Sequence, residues 1–266
     1  MANTSISGAL IDLSSALRRS TLIATLGWQD VRQRYRRSAL GPFWLTISMG
    51  VMIGTIGLVF GQIFKSPMEE FLPFLASGLI LWSFISAVIT EGCSSFIAAE
   101  AVIKQLPIPL SVHVFRQLWR NLIILAHNIV ILPLVMLSVG KAPSLAMFLA
   151  IPGLLIVLLN LVWLCIFLGI ICTRFRDIPQ IISSLLQVIF YLTPIMWLPS
   201  LLPQRAGTYM LDFNPFFHFL EIVRAPLLGQ LPSMENWLVS CGIAVVGWIA
   251  TILLFARYRR RIAYWL

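Results

Sequence analysis

Between Trp28 and Trp44 the chain reads WQDVRQRYRRSALGPFW, and an uncharged apolar run continues from Phe43 to Phe64. Arg32, Arg34, Arg36 and Arg37 stop just short of that run, with Gly41-Pro42 as the break between them. Arginine is costly in hydrocarbon but favourable beside anionic headgroups, so such a junction fixes the side of a membrane on which a chain starts. The amino terminus is expected on the cytosolic side.

The rest of the chain extends this reading. Of its residues 59% are hydrophobic and only 11% charged, a balance that separates it from soluble domains. About 20 apolar residues cross about 30 Å of hydrocarbon. Six such runs are expected, at Phe43–Phe64, Phe71–Glu91, Leu118–Leu137, Leu145–Cys172, Ile181–Leu201 and Trp237–Ala256. No sustained apolar core precedes Phe43, so no cleavable signal is expected. With the amino terminus inside, the inner segments carry 15 of the 19 lysines and arginines, and the outer ones only Lys65, Lys141, Arg205 and Arg224. Membrane insertion produces this asymmetry. The net charge of +9 therefore reflects topology and attraction to anionic lipid, and no nucleic acid is required. Six spans place both termini in the cytosol. Cys93, Cys165, Cys172 and Cys241 show no metal-site spacing and read as small packing residues.

Local patterns organise the remainder. Leu10, Leu17, Ala24, Trp28, Val31 and Tyr35 recur at helical spacing among arginines, predicting a helix in the headgroup plane. Residues 1–42 form this cytosolic, interfacial segment, 43–256 the spanning domain and 257–266 a basic cytosolic tail. Gly50, Gly54, Gly57 and Gly61 share one face of the first span, suited to close helix packing within one subunit or between two. Ser94–Leu106 predicts a short cytosolic amphipathic helix ended by Pro107, with Glu100 and Lys104 paired. In Thr173–Gln180, Arg174, Arg176 and Asp177 are expected to pair locally and cap the next helix. Asn214-Pro215 is a helix start, and Phe216–Arg224 is apolar but too short to span, which suggests a re-entrant or interfacial helix on the outer face.

Several segments together resemble the membrane subunit of type-2 ABC exporters of lipid-linked polysaccharide, the O-antigen permeases. They are RYRRSALGPFW at Arg34–Trp44, RFRDI at Arg174–Ile178, YLTPIMW at Tyr191–Trp197, and NPF at Asn214–Phe216 followed by EIVRAPLLG at Glu221–Gly229. The resemblance implies an all-α integral membrane protein of the bacterial cytoplasmic membrane, with six transmembrane helices and short re-entrant helices between spans five and six. It implies a homodimer bound to two copies of a cytosolic ABC ATPase, and a channel between the subunits. The amino-terminal helix and the Ser94–Leu106 helix, with Phe96, Glu100, Lys104 and Gln105, would couple to that ATPase.

The chemistry of single residues agrees. No GxxxxGK phosphate loop exists, and none of the four aspartates pairs in sequence with another carboxylate. The chain is thus read as a transport subunit that binds no cofactor, with ATP and magnesium on the partner ATPase. Arg34, Arg36 and Arg37 are candidates to grip the diphosphate of a polyprenyl carrier, or bulk anionic lipid. Sugar faces pack on aromatic rings, so Trp44, Trp82, Phe190 and Tyr191 are candidate channel residues. His127, Asn128, Asn160 and Gln187 are polar groups inside spans, expected to bond between helices or to line a pathway. Glu91 is placed to meet Arg116 or Arg120. Asn214, Phe216, Glu221 and Arg224 are exit-gate candidates, with Glu221 and Arg224 an i,i+3 pair. The same architecture would also suit a capsule or teichoic-type polymer or a small hydrophobic drug. A secondary carrier would need intramembrane acids, and an enzyme acting on polyprenyl lipid would need clustered carboxylates or histidines.

Overall fold

A computed structural model of the chain describes residues 6–34, 36, 41, 43–142, 144–201 and 209–266. Among these residues every regular element is helical. Tyr35, Arg37, Pro42 and the start of the last loop, 202–208, lie outside them.

Two helices, α1 (Ile6–Arg18) and α2 (Ser20–Arg34), precede the first apolar run. Five helical segments are then long and apolar enough to cross a membrane. They are α3 (Phe43–Phe64), α4 (Met68–Cys93), the pair α6 (Ser111–Asn128) and α7 (Ile131–Ser138), α8 (Ala150–Arg174) with the 3-10 turn before it, and α11 (Met234–Trp265). Between α4 and α6 lies α5 (Glu100–Gln105); α9 (Ile178–Leu192) and α10 (Pro215–Leu227) separate α8 from α11.

The bundle is built around α4, which packs against α3, α6, α8, α9 and α10. Its run from Phe71 to Ile89 is almost wholly buried, as expected of a helix apolar on all sides. The second contact that organises the bundle is the α8–α11 seam. A Cβ on Gly247 would sit 2.1 Å from the Trp163 ring, so only glycine admits that indole. Asn160 donates to the Ser240 carbonyl at 3.1 Å and accepts from Trp163 Nε1 at 3.0 Å. This in-span asparagine is therefore an interhelical tie, one of the two uses expected of it. Gly153 likewise brings α8 onto the backbone of α10, where an added Cβ would lie 2.3 Å from the Ile222 carbonyl.

Three elements differ from the sequence expectation, two of them because of a proline. The run Ile181–Leu201 is helical only to Leu192, because Thr193 precedes Pro194 and is extended (ψ 136°), the conformation that proline imposes on its neighbour. At 15 residues, α9 is about 22 Å long, short of a hydrocarbon core. The third run breaks at Ile129 and Val130 into α6 and α7, since Pro133 supplies no N–H for the Ile129 carbonyl. Finally, Ser94–Ala99 forms successive turns, and the helix spans only Glu100–Gln105. The basic stretch 257–261 continues α11, which runs to Trp265.

The glycine face of α3 is divided. Gly57 and Gly61 admit Leu72 and Met68 of α4 at under 3 Å from a built Cβ, whereas Gly50 and Gly54 face open space. Most of α3 is uncovered in the single chain.

All arginine-rich termini collect at one end of the bundle. Asp12, buried on α1, accepts from Ser111 N at 3.0 Å, Ser111 Oγ at 2.8 Å and Leu110 N at 3.2 Å, and so caps α6 from another helix. The Arg259 guanidinium of α11 lies 3.9 Å from the same carboxylate and also donates to the Gly8 carbonyl. A carboxylate at a helix start satisfies otherwise unpaired N–H groups and favours the helix dipole. Asp12→Ala should lower stability by about 2 kcal/mol and free α1 to proteolysis near Arg18. Equal cleavage rates in variant and parent protein would reject this anchoring.

Candidate functional site

Three groupings of polar and aromatic side chains stand out, two at the basic end and one at the other. The first is a charged girdle. Asp30 on α2 takes a two-pronged contact from Arg116 on α6, through Nε at 2.7 Å and through Nη2, and lies 3.5 Å from Arg120. Arg120 donates to Glu91 of α4 at 2.6 Å, Asn121 also donates to Glu91, and Arg34 lies 3.6 Å from it. Glu91 thus meets Arg120, one of its two expected partners, while Arg116 is taken by Asp30. The girdle fastens α2 to α4 and α6. Nothing in the local sequence marks Asp30 for this, since its partners are 86 and 90 residues away.

Beside the girdle, α3, α4 and α6 line an open cavity of about 350 Å³, with Arg34 and Glu91 among its lining residues. Asn128 lines it, and its Oδ1 is buried with no hydrogen-bond partner among the described residues. His127 bonds the Ile123 carbonyl of its own helix at 2.7 Å and faces Phe43, so it does not share this lining. Arg36 is exposed just beyond α2. Arg37, the third headgroup candidate, lies outside the described residues.

At the opposite end, α10 clasps the break after α9. Asn214 is the N-cap of α10, accepting from Phe216 N at 3.0 Å, and its amide donates to Thr193 Oγ1 at 2.8 Å. Arg224 is fully buried. It donates to the Pro194 carbonyl at 2.5 Å and to Glu221 at 3.0 Å, and its guanidinium stacks 4.0 Å from the centre of the Phe74 ring. The expected i,i+3 pair is present, with a tertiary contact that the sequence did not disclose.

The aromatic candidates separate. Trp82 is buried between Phe190 at 5.9 Å and Phe216 at 5.7 Å, and Phe190 adjoins Tyr191 at 5.3 Å. Within one chain, Trp82 is a core residue joining α4, α9 and α10. Trp44 is exposed on α3 and makes no ring contact in this stack. Tyr191 ends a polar line on α9: Gln180, Ser184, Gln187 and Tyr191, at intervals of four, three and four residues, are all exposed. Gln187 therefore points away from this chain's own bundle.

One surface expectation and one capping expectation change. Phe96 is fully buried, packed against Gly169 of α8, which leaves Glu100, Lys104 and Gln105 as the surface of that segment. Lys104 bonds Glu100 at 2.6 Å, and this ammonium holds the exposed carboxyl below its usual range. Asp177 occupies the N-cap position of α9 but makes no side-chain cap bond. Its expected partners turn elsewhere: Arg174 stacks on Trp265, and Arg176 donates to the Trp265 carbonyl at 3.4 Å.

Comparison with known proteins places this architecture. The family profile described as ABC-2 type transporter matches residues 21–228. Among curated relatives, an O-antigen export system permease protein RfbA of Myxococcus xanthus is 24% identical over 227 residues, covering 85% of this chain and 87% of the relative. Two proteins of the same name from Klebsiella pneumoniae are 23% identical over 197 residues, covering 73% of this chain and 75% of the relative, and 22% identical over 243 residues, covering 90% and 91%. The resemblance expected from the sequence motifs is borne out.

Proposed function

Since the chain belongs to the ABC-2 type transporter family, we propose that it is the permease subunit of an ATP-driven exporter of lipid-linked polysaccharide of the O-antigen type. The named relatives, matched over most of their length, support the substrate class. The basic end is the cytosolic face of the bacterial inner membrane, with both termini there, in line with the positive-inside rule. A separate ATPase subunit binds ATP and magnesium. It docks against that face, around Glu100, Lys104 and Gln105.

One observation carries the transport reading: α9 presents Gln180, Ser184, Gln187 and Tyr191 away from its own bundle. Polar groups facing lipid are unfavourable, so a line of them on a membrane helix belongs against protein or a wet passage. A second copy of the chain, packing on α3 and α9, would enclose that line and cover the open faces of both helices. In this reading α9 and the segment to Pro199 together make the sixth crossing, and α10 is a re-entrant helix at the outer exit. Arg34, Arg36 and Arg37 meet the diphosphate of a polyprenyl carrier at the inner mouth.

Vesicles containing the permease, its ATPase and a fluorescent polyprenyl-diphosphate glycan should move the glycan only with ATP. Gln187→Leu should slow this at least about tenfold, the scale of one lost polar contact, with insertion and ATPase binding retained. Sustained movement by the permease without its ATPase, or unimpaired export by Gln187→Leu, would overturn the reading.

A further inference from the structure

At the basic end, the close α8–α11 seam opens into a cavity of about 610 Å³, lined among others by Ile170, Leu254, Tyr258, Arg174, Arg261 and Trp265. On α11, Leu254, Tyr258, Arg261 and Trp265 recur at four, three and four residues, one stripe of a helix. On α8, Ile170 and Arg174 are one turn apart and share a face. The lining therefore grades along the helix axes, from apolar at Ile170 and Leu254 to cationic at Arg174 and Arg261. Leu254 to Arg261 is a rise of about 10 Å.

Among the described residues the two arginines of this cavity have no carboxylate partner. Arg34, Arg116, Arg120, Arg224 and Arg259 each reach a carboxylate. Among the described residues, Arg174 and Arg261 make no ion pair, and no acidic residue lines the cavity. Their partners are rings instead. Arg174 lies 5.5 Å from the Trp265 ring centre and Arg261 6.0 Å from that of Tyr258, while the two rings adjoin at 5.4 Å. Stacking on a ring orients a guanidinium but leaves its N–H donors free for an anion.

We propose that this cavity binds the headgroup phosphate of an anionic phospholipid from the leaflet at the basic end. The phosphate sits between Arg174 and Arg261, and an acyl chain lies along Ile170 and Leu254. Charge complementarity selects the anion. The apolar floor about 10 Å below the arginines selects a lipid over an acidic peptide, which would leave that floor unfilled. Naming this leaflet the cytosolic one rests on the topology proposed above.

The test uses the permease in nanodiscs of phosphatidylethanolamine with added brominated phosphatidylglycerol. The Trp265 signal is the fluorescence difference between the parent protein and Trp265→Phe. Brominated phosphatidylglycerol should quench it at a far lower mole fraction than brominated phosphatidylcholine does. Arg174→Gln and Arg261→Gln should each raise the half-quenching fraction about fivefold, the scale of one arginine at an anionic surface. Arg18→Gln should leave it unchanged. Lipid retention in native mass spectra, read on variants whose melting temperature matches the parent, gives an independent measure. Equal quenching by the two lipids, or arginine variants that do not shift it, overturns the site. So does displacement by the bound ATPase, which would make the cavity a protein contact, or by an equal fraction of polyprenyl phosphate, which would make it a carrier site. Labelling Ala263→Cys, in a chain that also carries Cys241→Ser, from outside intact cells tests the topology separately, since external reaction would change the leaflet and not the quenching.

Discussion

Arg224→Leu should cost about 4 kcal/mol, on the scale of breaking a buried ion pair by removing one partner. The side chain is 0% exposed, and leucine supplies none of the donors and stops short of the place the guanidinium occupies. Glu221 is then left as a carboxylate with no cation, and the Pro194 carbonyl, at the break where α9 ends, loses its donor. Glu221→Gln should cost about 3 kcal/mol, because the buried Arg224 cation loses its carboxylate while the glutamine oxygen, the Pro194 carbonyl and the Phe74 ring remain to it. Thermal unfolding in nanodiscs measures both. A leucine variant within about 1 kcal/mol of the parent would mean that the clasp forms without its cation. The clasp holds the break from two sides, because Arg224 and Asn214 grip successive residues, Pro194 and Thr193, at the point where the backbone leaves the helix.

The clasp also marks the limit of what sequence reveals. Its local parts were readable: Asn214-Pro215 announces a helix start, and Glu221 and Arg224 are one turn apart. The end of α9 was readable as well, since Thr193-Pro194 carries the rule that ends a helix before proline. An apolar run continuing to Leu201 outweighed that cue. Pro133 carries a similar signal for the α6–α7 break, and hydropathy averages over it. The grip of Arg224 on Pro194, by contrast, joins residues 30 apart and has no signature in either segment.

Charged partners follow the same division. Glu100 and Lys104 lie within one turn and could be paired on spacing alone. Glu91 could be given an arginine of α6 because a span-edge acid needs a cation, and Arg116 and Arg120 are the arginines nearest to it in sequence. Asp12 and Asp30 sit on helices whose docking is itself the unknown, so their partners emerge only with the tertiary structure. Phe96 shows the converse error. A phenylalanine in a supposed surface helix is better satisfied by the core, and folding Ser94–Ala99 into turns lets it reach Gly169 of α8. The aromatic candidates were chosen by type, and type does not separate a buried wedge such as Trp82 from an exposed ring such as Tyr191.

The girdle at the basic end yields the second large effect. Asp30→Leu should lower stability by about 3 kcal/mol, because Arg116 and Arg120 then face each other beside α2 with Glu91 as the one remaining acid among the described residues of the cluster. The side chains of Asp30, Arg116 and Arg120 are 11%, 30% and 19% exposed, so water screens this loss incompletely. Removing Arg116 alone should cost less, since Asp30 keeps Arg120 at 3.5 Å. The decisive variant is the pair Asp30→Leu with Arg116→Met. Charge balance is restored and apolar groups fill the space, so the double change should be milder than Asp30→Leu alone. Steric or packing damage would instead add, and a double variant worse than either single one would place the energy of the girdle in shape and not in charge. If α2 transmits the ATPase stroke to α4 and α6, the double variant should also separate stability from coupling. It should fold at near parental temperature and hydrolyse ATP with its partner, yet no longer couple hydrolysis to export. Parental export by that folded variant would leave the girdle an anchor alone.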